Sequence, residues 1–184
     1  MRNHLILSAL LLTGCSSIAV GPSYVESRNL GYETPYVGAK AEGRAQHGKL
    51  YGVLQGTYYD SQKVETGDGH GTRARALGGL EVSRQFRILG GVTYSSQETS
   101  AWKKEGWAPT LQVEWQDPHG TLIGSVERLD DSDDEQWVGA LEGRIGVNWP
   151  VFLRYEYVDY KTLFAEGSGQ RYEIGLLIPL WRRR

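Results

Sequence analysis

Ionisable side chains recur at alternate positions along most of this chain, and their spacing limits the chemistry they can do. Lys40, Glu42 and Arg44, then Arg73, Arg75 and Glu81, then Glu114, Glu127, Glu142, Arg144, Arg154, Glu156, Arg171 and Glu173 supply seven cations and seven carboxylates. On an extended backbone, residues two apart share a face. A face with equal numbers of opposite charges suits an enclosed space, where each desolvated ion needs a partner and further hydrogen bonds. The run Asp130-Asp131-Ser132-Asp133-Asp134-Glu135 concentrates hard oxygens, and Asp130, Asp131, Asp133 and Asp134 are a weak candidate for Ca²⁺ or Mg²⁺. A solvated acidic loop is the plainer reading. Among the histidines, His47 and His119 fall in short turns, and His70 lies in a longer loop near Asp68 and Thr72; no nucleophile–base–acid set stands out. Gly67-Asp68-Gly69-His70-Gly71 lacks the strand–loop–helix setting of a phosphate loop. Lys103 and Lys104 beside Trp102 suit either a lipopolysaccharide phosphate or an ordinary exposed loop. No catalytic residue and no cofactor is expected.

The elements that carry these residues have a period of two. Strand-like runs fall at about 36–45, 49–59, 72–83, 87–96, 107–116, 120–128, 136–148, 150–160 and 170–181. Their connections alternate. Gln46-His47-Gly48, Arg84-Gln85-Phe86, Asp117-Pro118-His119 and the Trp149-Pro150 junction are short; Asp60 to Gly71, Glu98 to Gly106, Leu129 to Glu135 and Lys161 to Gly169 are longer and polar. This pattern resembles outer-membrane barrels, with short periplasmic turns and longer outer loops. The resemblance implies an all-β, antiparallel up-and-down transmembrane β-barrel of about ten strands, with the poorly patterned segment at about 18–28 as the tenth and eight strands as the alternative.

Sorting by parity leaves Leu50, Leu54, Ala74, Ala76, Leu80, Val92, Leu111, Val113, Leu141, Leu153, Ile174 and similar residues on the face opposite the charges. A barrel in lipid turns that face outward; a soluble calycin-like barrel turns it inward around an apolar ligand. Two features favour lipid. The apolar face is rich in Ala and Gly on several strands and would fill a cavity poorly. Trp107 and Trp115 bracket one strand, and Trp137 and Trp149 another, spanning roughly 20 and 30 Å around an apolar band of about 25 Å. With Tyr172 on the loop side they form two candidate aromatic girdles.

The chain opens with one positive charge at Arg2, an eight-residue apolar run from Leu5 to Leu12, and then Leu12-Thr13-Gly14-Cys15. The run is too short to span a membrane but fits a signal segment. These residues resemble the lipobox of bacterial lipoprotein precursors. The resemblance implies a signal peptide over 1–14, a lipidated barrel domain over 15–184, a diacylglyceryl thioether on the Cys15 sulfur and an acyl chain on its amino group. Cys15 is the sole cysteine, so no disulfide forms, and Ser16 lacks the inner-membrane retention signal that Asp would give. Glu173-Ile174-Gly175-Leu176-Leu177-Ile178-Pro179-Leu180 resembles the C-terminal signal read by the barrel assembly machinery, but Pro179 and the ending Trp181-Arg182-Arg183-Arg184 depart from it. Pro179 belongs at a strand end or bulge. The mature net charge, near −3, gives no reason to expect nucleic acid. Expected partners are outer-membrane lipid and lipopolysaccharide, the barrel assembly and lipoprotein-processing machinery, and a surface protein of unknown identity. The expected role is adhesion, envelope integrity or receptor masking of the kind that excludes superinfecting phage. The alternatives are a lipid-anchored calycin-like carrier and a lipid-A-modifying enzyme resembling the small deacylase and acyltransferase barrels.

Overall fold

A computed structural model of the chain describes residues 15–28, 36–61, 69–99, 103–131, 134–146, 150–162 and 166–182. Within them lie β1 (Cys15–Arg28), β2 (Tyr36–His47), β3 (Leu50–Ser61), β4 (Gly69–Glu81), β5 (Phe86–Thr99) and β6 (Lys103–Gln116). Then come β7 (Gly120–Asp131), β8 (Asp134–Ile145), β9 (Val151–Thr162), β10 (Glu166–Leu176) and β11 (Ile178–Arg182). Each strand from β1 to β9 pairs antiparallel with the next, and β1 closes the ring against β10 and β11. β10 and β11 are one stave interrupted at Leu177, so the barrel has ten staves. Pro179 pairs with Ala19 beside a register shift at Ile18/Ala19, so the residue that cannot donate to a ladder sits at an irregularity.

Both ends of the described chain lie with the short turns. Cys15 pairs with Ala45, and Ser17 with Arg182. The β2–β3 turn holds Gly48 at a φ of 59°, a conformation that favours glycine. At the opposite end the strands run further than the hydrophobic pattern does. The ladder reaches Gly69↔Thr99, Glu98↔Lys103, Asp131↔Asp134 and Glu166↔Lys161, so the polar connections expected there are shorter than the sequence implied. The backbone keeps pairing where no apolar side chain is needed. β8 ends earlier than expected, at Ile145, before Gly146 at a φ of 101°. Pairing between β6 and β7 starts only at Thr110↔Glu127, next to Pro109, which has no N–H to donate.

The inner wall is not wholly polar. Tyr51, Val53, Leu77 and Leu89 form a buried cluster on β3–β5, and Ile123, Val138, Phe152 and Val158 are also buried. These residues share the parity of the charges, so the two-face sorting holds for the charges but does not exclude apolar filling of the bore. Adjacent strands also approach closely on this side. A Cβ at Gly79 would run into the Ile88 carbonyl, and one at Gly91 into that of Ala76.

Candidate functional site

The alternating carboxylates and guanidinium groups meet inside the barrel. Glu114, Glu127 and Glu142 are at most 1% exposed. Each is balanced by cations from other strands. Glu142 takes Lys40 Nζ at 2.7 Å, Arg154 Nη1 at 3.4 Å and Arg144. Arg144 Nη2 reaches Glu42 at 2.6 Å, and Glu42 also holds Arg44, whose Nη1 lies 2.9 Å from Glu114. Nearer the loops, Glu156 collects Arg73, Arg154 at 2.7 Å and Arg171 at 3.3 Å, and Glu127 takes Arg73 and Arg75. Arg75 further donates to Thr93 Oγ1 and Gln112 Oε1, both at 3.2 Å. Glu81 is the rim member, 3.5 Å from Arg87 Nε.

These pairs form one chain of contacts from Glu81 near the short turns to Arg171 on the loop side. Several cross the bore: Lys40 of β2 reaches β8, Arg44 reaches β6, and Arg73 of β4 reaches β7 and β9. Such pairs hold only because partners and hydrogen bonds offset the cost of desolvation. Glu173 is equally buried, yet its Oε1 has no hydrogen-bond partner among the described residues, nor do Ser23 Oγ and Arg154 Nη2. Sequence reasoning missed Arg87, which is buried, bonded to Gln116 at 2.7 Å and stacked 4.4 Å from the Tyr51 ring centroid. Its parity gave the signal, but its place beside a turn hid it.

The outer wall is apolar through its middle and amphipathic near the loops. Leu111, Leu141, Leu153 and Ile174 are each at least half exposed. Trp107 is 66% exposed and packs on Tyr94 with centroids 5.1 Å apart. Tyr155 and Tyr172 pair similarly at 5.3 Å. Three loop-side rings have a polar partner one step closer to the loops. Trp137 Nε1 donates to Glu135 at 2.9 Å, the Tyr172 hydroxyl to Gln170 at 2.7 Å and the Tyr94 hydroxyl to Glu105 at 3.2 Å. Arg128 lies over Trp137 at 5.2 Å. Apolar residues on one side of each ring and polar partners on the other are the requirement of a membrane interface. At the short-turn end Trp115 is exposed opposite Phe86 and Leu122. Trp149 lies outside the described residues, as does residue 133 of the acidic run; Asp130, Asp131 and Asp134 enter the ladder through their backbones. The signal segment 1–14 is likewise outside the described residues. His70 is exposed and pairs in the ladder with Asp60 and Glu98.

No family model and no curated protein matches the chain. Solved structures similar to it include the KdgM porin, at 8% identity and a TM-score of 0.47 over 88% of this chain and 98% of that one. The translocator domain of autotransporter NalP from Neisseria meningitidis aligns at 14% identity and 0.49 over 96% and 93%. Ail, the attachment invasion locus protein of Yersinia pestis, aligns at 12% and 0.34 over 91% and 99%. All three scores fall below 0.5, and the barrel's own two faces are what bear on its function.

Proposed function

We propose that this chain is an integral outer-membrane β-barrel lipoprotein, anchored at Cys15 and acting without catalysis through its loop-side surface, in adhesion, envelope integrity or the masking of another surface molecule. The observation that carries the reading is polarity: buried ion pairs fill the bore while leucines, valines and isoleucines face outward. A soluble barrel that carries an apolar ligand requires the reverse. Each Arg or Lys moved to the lipid side at mid-depth would cost roughly 2–4 kcal/mol, a physical cause for the segregation. Ion pairs across the bore favour a plugged barrel over a wide pore. The pairing of Cys15 with Ala45, close to the β2–β3 turn, fits an anchor in the periplasmic leaflet.

Alkaline carbonate extraction of Cys15→Ala tests the reading. The variant stays in the membrane fraction and migrates anomalously on a denaturing gel until heated. Release into the soluble fraction would mean that the lipid alone held the domain to the membrane.

A further inference from the structure

One region of the outer wall is indented. A groove of about 450 Å³ lies over β2–β5, and its floor includes Ala45, Gly52, Gly78 and Gly90. The register makes these four one lateral row: Ala45 pairs with Gly52, Gly52 with Gly78 and Gly78 with Gly90, beyond which Gly90 meets Leu111. On the other side the backbone partner of Ala45 on β1 is Cys15, reached across a register shift between Cys15 and Ser17. A second row, Leu50–Leu80–Ile88, runs parallel on the short-turn side and stands exposed as a rim. The depression is therefore a trough with a small-residue floor, an aliphatic edge and a large side chain at its far end.

From β1 to β5 the row crosses four strand spacings of about 4.8 Å, or roughly 19 Å, the scale of one extended fatty acyl chain. Ala45 lies three residues before Gly48, whereas Leu111 lies six before Asp117, so the trough climbs away from the short-turn rim as it crosses the sheet. It starts at the rim beside Cys15 and ends at greater depth, the course an acyl chain must take from a headgroup-level anchor. We infer that this trough seats an acyl chain of the lipid carried by Cys15. The inference rests on the anchored-barrel reading above. A chain tethered at the trough's mouth has a far higher effective concentration there than any free phospholipid and loses less freedom on binding. A Cβ added at Gly78 meets nothing within 4 Å, so a larger residue can start into the trough there without a backbone clash.

The test uses the lipidated chain from cells fed ¹³C-labelled fatty acid, perdeuterated except at its amides and placed in bilayers of perdeuterated phosphatidylcholine. The intact mass reports separately whether Cys15 carries its lipid. Magnetisation transfer from labelled methylenes to the Gly52, Gly78 and Gly90 amides is expected. It should be lost in Gly78→Leu but kept in Gly139→Leu, a position on β8 that is equally open. A lipidated mass without these transfers overturns the trough and leaves the anchor standing. An unlipidated mass overturns both. Transfers that appear instead when label is moved from the anchor to the phosphatidylcholine would show that bulk lipid fills the trough, and would also overturn the proposal.

Discussion

Strands β2–β5 and strands β6–β10 differ on both of their faces. Inside, β2–β5 carry mainly cations, namely Lys40, Arg44, Arg73, Arg75 and Arg87 beside Glu42 and Glu81. The facing strands carry mainly carboxylates: Glu114, Glu127, Glu142, Glu156 and Glu173 beside Arg144, Arg154 and Arg171. Outside, β2–β5 expose a small-residue floor, while β6–β10 expose Trp107, Leu111, Trp137, Leu141, Leu153 and Ile174. The inner difference makes the halves attract across the bore. The outer difference sets a trough edged by Leu50, Leu80 and Ile88 on β2–β5 against larger apolar residues, interrupted by open positions such as Gly139, on β6–β10. Position within a half thus decides what a residue does, even between neighbours: Gly79 faces the crowded interior, whereas the position of Gly78 opens onto free space outside the barrel.

Substitutions can break this contrast, with effects that run from large to negligible. Gly79→Leu drives a side chain into the Ile88 carbonyl, and no heat-modifiable folded band is expected. Glu156→Ala strips Arg73, Arg154 and Arg171 of their shared carboxylate and should cost about 3–5 kcal/mol, read by urea unfolding in liposomes. Leu141→Arg places an ion on the bulky outer side and should cost roughly 2–4 kcal/mol in the same assay. Trp107→Ala removes the Tyr94 contact at the loop-side interface and should cost roughly 1 kcal/mol beyond the lost apolar area. Gly78→Leu adds bulk into open space and should stay within about 0.5 kcal/mol of the parent chain.

The sequence displayed what period two and turn length encode. Alternation of short and long connections, with Cys15 expected on the short-turn side, implied one more strand before Tyr36, and β1 is there despite weak patterning. Parity separated the charges from the apolar residues, and Pro179 marked the register shift opposite Ile18/Ala19. Other features were hidden for physical reasons. Leu77 and Leu89 are apolar exceptions on an inner face that otherwise carries Arg73, Arg75 and Arg87, and each adjoins an outward apolar residue, Ala76 or Ile88, so alternation breaks down at both. Which cation meets which carboxylate across the bore depends on strand stagger, and a list of residues does not contain stagger. The row from Cys15 to Gly90 draws on five strands and becomes visible only once their registers are known.

Orientation underlies every step, and adjacent residues of β6 test it most directly. Spin labels at Leu111→Cys, Gln112→Cys and Val113→Cys, each in the Cys15→Ala chain in bilayers, report collision with oxygen dissolved in lipid and with a water-soluble nickel chelate. The expected result is high oxygen accessibility at 111 and 113 with low values at 112, repeating the alternation of exposed Leu111 and Val113 around buried Gln112. Labels at 111 and 113 shielded from oxygen, with 112 open to the nickel chelate, would place the apolar face inward and contradict the account.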